Sequence, residues 1–147
     1  MNYSVGTTGR VIVLRLSDGE AIYPAIESVA AKETIANAMV WIIGGMKNGA
    51  VVVGPKDATK VPLETMQEVF SDEREIVGVG TLFLSSENKP KLHMHAGIGK
   101  GAKPIVGCPR MGADCWLVGE VVIMELVGVK ARRVKQEKGS LELLEIQ

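Results

Sequence analysis

The chain is poor in aromatic residues, histidine and cysteine, and it carries no excess charge of either sign. Phe, Trp and Tyr make up 4% of its 147 residues, against 46% hydrophobic residues overall. Val, Ile, Leu and Ala must therefore build the core, and the aromatic platforms that stack single-stranded nucleic acid are missing. Lys plus Arg and Asp plus Glu each number 17, so the net charge is zero. A domain built mainly to grip DNA phosphates is usually basic; the balance weakens that reading without touching the case of spatially segregated charge. The two cysteines, Cys108 and Cys115, form no CxxC pair and no array of the kind that staples a disulfide scaffold. No apolar run reaches the length of a membrane span. Met1-Asn2-Tyr3-Ser4 lacks the basic start and apolar block of a secretory signal. The expectation is a single cytoplasmic domain over residues 1–147, long enough to bury a core and with its thiols reduced.

Periodicity then assigns the elements. Residues 10–16, RVIVLRL, are dense in β-branched side chains and predict a strand buried on much of both faces. Ile22, Ile26, Val29 and Ala30 follow helical spacing behind the turn at Ser17 to Glu20, and Pro24 suits a first helical turn. Residues 38–46 predict a second strand, bent or closely approached at Gly44-Gly45. Asn48-Gly49 signals a hairpin returning through Val51-Val52-Val53. Residues 56–71 read as polar and irregular, with one helical turn near 64–69. Residues 75–85, 91–98, 117–126, 127–136 and 141–146 predict further strands, with a mobile loop over 99–104 and a turn at Lys138-Gly139. The sum is an α+β domain: a mostly antiparallel sheet of about seven strands with one main helix.

The chemistry concentrates in His93-Met94-His95, which contains both histidines of the chain. Leu92, Met94, Ala96 and Ile98 alternate with them as an apolar stripe. Strand alternation therefore sends both imidazoles to the other, more polar face. Two convergent imidazoles and a thiol are soft-metal ligands, and zinc takes such donors in a tetrahedron. Cys108 is the leading third ligand: Gly107 before it allows close backbone approach, and Pro109 after it restricts its conformation. Three protein ligands would leave a fourth position for water or a small ligand. The bland alternative is a pair of hydrogen-bonded strand histidines beside a small buried filler. Cys115, next to Trp116, reads as core.

These residues sit in a frame that resembles the PPC domain, the "plants and prokaryotes conserved" family. The similarity runs through Arg10, Leu16, Gly19 and Glu20, then Trp41-Ile42-Ile43-Gly44-Gly45, then His93-Met94-His95-Ala96. It continues through Val106-Gly107-Cys108-Pro109, where family members carry Gly-Gly-His-Leu, to Glu120 in an apolar strand. The resemblance implies an α+β homotrimer with its histidines near subunit boundaries, and a third histidine where this chain has Cys108. Thiolate can replace imidazole on zinc, so the exchange either conserves the metal site or marks its loss. Plant members join the domain to a DNA-gripping AT-hook; no Arg-Gly-Arg-Pro element occurs here.

Glu120 is a candidate outer partner of a histidine or a general base near a metal-bound water, with an interface ion pair as the structural alternative. Lys130, Arg132, Arg133, Lys135 and Lys138 form a basic cluster. Lys130, Arg132 and Arg133 are its candidate nucleic-acid contacts, although alternation puts the two arginines on opposite faces. The segment Gly97 to Lys103 lacks Walker spacing. Three functions follow: a trimeric zinc module binding a small ligand, a DNA-associated assembly module, or a metal-dependent hydrolase using Glu120.

Overall fold

The computed structural model describes residues 1–110, 112–136 and 142–147. Its elements run β1 (Thr7–Ser17), α1 (Ile22–Lys32), β2 (Asn37–Lys47), β3 (Gly49–Pro55), β4 (Thr65–Phe70), β5 (Arg74–Leu84), β6 (Pro90–Lys100), β7 (Lys103–Gly107), β8 (Asp114–Val127), β9 (Ala131–Lys135) and β10 (Glu142–Ile146). The expected α+β architecture with one helix is present. The described residues form ten strands rather than about seven. The expected Lys138-Gly139 turn and Leu141 lie outside the described residues.

Six strands form one antiparallel sheet in the order β1-β8-β2-β5-β6-β7, and β3–β4 and β9–β10 are separate two-stranded ribbons. One face of the main sheet carries Leu16, Val40, Ile42, Leu82, Met94, Ile98, Val121 and Ile123, all buried. Ile22, Ile26 and Ala30 of α1 enter the same core, joined by Val51 of β3 and Phe70 of β4. Their spacing puts them on one stripe of the helix. Ile26 is fully buried, so Ile26→Ala should cost about 2–5 kcal/mol. A lowered denaturation midpoint at unchanged slope would show it.

The opposite face is apolar as well, but open. Cross-strand register lines up Val13, Val122, Trp41, Val79 and His95 as one row over five strands. Val11, Val13, Ile43 and Val77 on this face are 62%, 77%, 53% and 64% exposed. The expectation that residues 10–16 are buried on both faces is therefore corrected. β1 is an edge strand whose Ile12, Leu14 and Leu16 turn inward while Val11 and Val13 face out.

Three further expectations change. The Asn48 turn has the positive φ that the Asn-Gly signal demands. However, β3 leaves the main sheet there and pairs with β4 instead of β2. Residues 65–70, expected as irregular or one helical turn, are that partner strand, polar because its side chains are mostly exposed. The expected loop over 99–104 is a hairpin: β6 continues to Lys100, Gly101 turns with φ +60°, and β7 returns along it. Pro104 is tolerated because β7 is the sheet's other edge. Gly44-Gly45 behaves as expected. Gly44 has φ +133°, and a Cβ there would strike the Val118 carbonyl where the β2–β8 register shifts.

Candidate metal centre

β6 places His93 opposite Thr81 and His95 opposite Val79, on the open face of the sheet. The rings meet edge to face, with centroids 5.1 Å apart and planes at 78°. The β6–β7 ladder ends at the Ala96–Gly107 pair, one residue before Cys108. There the chain is held by β3: the Cys108 N–H donates to the Val52 carbonyl and the Val52 N–H to the Cys108 carbonyl, each at 2.9 Å. Gly107 is needed for this approach, since a Cβ there would collide with the Val52 carbonyl and a Val51 methyl. One ligand atom from each of His93, His95 and Cys108 then lies within 4.8 Å of the other two.

The donor set fits a soft divalent ion on chemical grounds. His93 Nε2 is buried and has no hydrogen-bond partner among the described residues. A buried polar nitrogen left unmatched is costly, and a metal ion would satisfy it. Burial, with Arg133 and Arg110 adding to it, holds His93 below the usual histidine range. His95 is also held low, by burial first and then by His93 and Arg110. Both rings are thus neutral near pH 7, the form that binds metal.

Several neighbours escape the sequence patterns. Arg110 Nε donates to Cys108 Sγ at 3.2 Å, which places a guanidinium directly beside the thiol. Tyr23 of α1 donates to the Met94 carbonyl at 3.4 Å, and burial followed by Cys108 pushes its phenol up. Glu27, one helical turn on, accepts from the Leu92 N–H at 2.9 Å. These helix side chains serve the part of β6 that β7 does not reach. Arg133, 5% exposed, donates through Nε to the Lys91 carbonyl and through Nη2 to the carbonyl and hydroxyl of Thr81. None of these contacts follows from a local sequence pattern.

The remaining sequence candidates are dispersed. Glu120 stands opposite Arg15 and Ile43 on β8. That is three strands from β6, roughly 14 Å at ordinary strand spacing. Within one chain it reaches neither histidine, so its reading as a base or histidine partner is not supported by the fold. Lys130 is exposed, whereas Arg132 donates to Asn88 Oδ1 at 2.7 Å and to the Ser85 carbonyl. The buried Arg133 is withdrawn from any duplex. The three therefore do not compose a basic face. Cys115 is fully buried, its Sγ 3.7 Å from the Leu16 carbonyl, as expected of a core thiol. Lys100 pairs with Asp72 and Glu73 rather than framing an anion loop.

Fold and site together define a small antiparallel β domain with a two-histidine, one-cysteine cluster at the end of a sheet ladder. The chain belongs to the Plants and Prokaryotes Conserved (PCC) domain family, whose model matches residues 3–127. Among solved structures it resembles a metal-containing protein from Archaeoglobus fulgidus with TM-score 0.84 and 21% identity, covering 99% of each chain. It resembles a plant- and prokaryote-conserved protein from Pyrococcus horikoshii with TM-score 0.83 and 24% identity, over 100% of this chain and 99% of that one. A candidate DNA-binding protein from Bacteroides thetaiotaomicron gives TM-score 0.74 and 19% identity, over 98% and 97%. At these identities the likeness carries the fold. Comparison with curated proteins finds no sequence match.

Proposed function

We propose that this protein is a homotrimeric module that holds a divalent transition metal, zinc by preference, through His93, His95 and Cys108. The fourth position would be open to a small ligand. The single observation that carries the reading is the convergence of three soft donors within 4.8 Å, and one contributor, His93, also has a buried Nε2 without a partner among the described residues. Two neutral imidazoles and a thiolate suit zinc better than calcium or magnesium, which prefer oxygen. When bound, the ion would act as a Lewis acid toward a ligand entering from the cleft. His93 and His95 hold their geometry through the β5–β6 ladder, and Cys108 through its backbone bonds to Val52. The Archaeoglobus relative is a metal-containing protein, which is consistent with this reading.

The trimer is supported by the open apolar face. A contiguous row of exposed valines with Trp41 and Ile43 is unusual on a monomer's surface and marks a contact area. Glu120 lies on that same face, where a structural role opposite Arg15 suits it better than catalysis.

Metal analysis tests the central claim. The purified protein, with or without added zinc, should hold one ion per chain; no stoichiometric ion after zinc loading would overturn it. The DNA reading makes a rival prediction of salt-dependent duplex binding that weakens in Lys130→Gln and Arg132→Gln. Gel retardation at low salt separates the two.

A further inference from the structure

The cleft beside the metal centre encloses about 1140 Å³, and both histidines line it. Four cationic side chains also line it, Lys91, Arg110, Arg133 and Lys135, against two carboxylates, Glu27 and Glu142. Glu27 is already engaged with the Leu92 N–H. Among the described residues, none of the four cations joins an ion pair, although other lysines and arginines of this chain do. Arg133 is the sharpest case. It is almost wholly buried, its Nε and Nη2 bond only neutral oxygens, and its Nη1 has no partner among the described residues. Glu142 acts on it without forming a direct ion pair, and a buried guanidinium so weakly compensated is costly to fold. Arg110 touches Cys108 through Nε alone, which leaves its terminal nitrogens free of that bond. A divalent ion held by two neutral imidazoles and one thiolate would still carry a net positive charge and deepen the imbalance.

We propose that the missing counter-charge is the ligand: the cleft binds the oxyanion end of a small organic molecule, a carboxylate or phosphate group. Arg110 and Arg133 serve as its recognition residues, beside the open metal position. The arginine fork matches the planar oxygens of carboxylate and the oxygens of phosphate, and a soft metal with an open site accepts either. The cleft has room for more than an inorganic ion. Tyr23, Pro24, Leu63 and Leu143 give it apolar walls against which a ligand's body would lie.

This inference rests on the metal reading, and its test separates the two. The protein is loaded with cobalt(II), whose visible spectrum reports coordination, and titrated with inorganic phosphate and separately with acetate. Sodium perchlorate at matched ionic strength is the control. The expected result is one cobalt per chain and a saturable spectral change with at least one anion. Response to phosphate alone identifies a phosphate ligand, and response to acetate alone a carboxylate. Arg110→Gln, at an exposed position, should keep one cobalt per chain and weaken the anion by about 10- to 100-fold, the loss of a charge-assisted hydrogen bond. Arg133→Lys should do the same. One cobalt per chain with no response to either anion, or an Arg110→Gln protein that binds the anion as tightly as the parent, would overturn the inference and leave the metal reading standing. Failure to take up cobalt or zinc would overturn both.

Discussion

Cys108→Ser is expected to abolish stoichiometric zinc while leaving the fold intact. Serine is nearly isosteric with cysteine but is a poor zinc ligand at neutral pH. Its hydroxyl would inherit the donor that now faces the sulfur, since Arg110 Nε lies 3.2 Å from Sγ. The backbone bridge to Val52 does not depend on the side chain. The affinity should fall by more than about 100-fold, because loss of an outer partner alone costs up to that much. Competition against a chromogenic chelator would measure it, with circular dichroism as the check on folding. His95→Ala should behave alike. A Cys108→Ser protein that binds zinc as tightly as the parent would show that the thiol is only a buried filler. The sequence resemblance expects histidine at this position, so the same experiment decides whether the exchange conserved the site.

The second large effect concerns assembly. On the proposed trimer, Trp41→Glu should reduce the particle from about three times the 15.7 kDa chain mass to a monomer. Trp41 sits mid-row on the open face, between Val122 and Val79, and is 38% exposed in the single chain. Central aromatic anchors carry a disproportionate share of interface energy, and a buried unpaired carboxylate opposes association. The side chain points away from the core, so the variant should retain its sheet. Sedimentation reads the outcome directly. A parent protein that is already monomeric, or a Trp41→Glu protein of unchanged mass, would remove the trimer from the proposal.

Much of the arrangement was legible because it follows from alternation. The His93 and His95 side chains share a face since they are two residues apart in a strand, and the apolar stripe through Met94 and Ile98 fixed which face was buried. Gly107 before Cys108 correctly signalled a close backbone approach. What escaped were facts about partnership. Asn48-Gly49 reported a positive φ, but a turn signal does not say which strand the next segment joins, and β3 joined β4. The strand at 65–70 was invisible because its exposed, polar side chains carry no period-2 signal. Val11 and Val13 looked like core because they are apolar, and apolarity alone cannot tell a buried face of a sheet from an open one. The contributions of Tyr23, Arg110 and Arg133 depend on chain crossings that no local pattern encodes.

One detail of the helix bears on the kind of ligand the cleft can take. An extended peptide binds most readily by adding itself to an unpaired strand edge, exchanging main-chain hydrogen bonds with it. The stretch of β6 that lines the cleft is such an edge in outline, since its pairing with β7 ends at Ala96. Glu27 already holds the Leu92 N–H, and Tyr23 already holds the Met94 carbonyl. Two side chains of α1 thus occupy two of the rungs an incoming strand would need, and the same contacts help guard this edge against self-association. Strand addition at this edge is thereby disfavoured, and a ligand of the cleft is expected to be recognised through side chains rather than main-chain rungs.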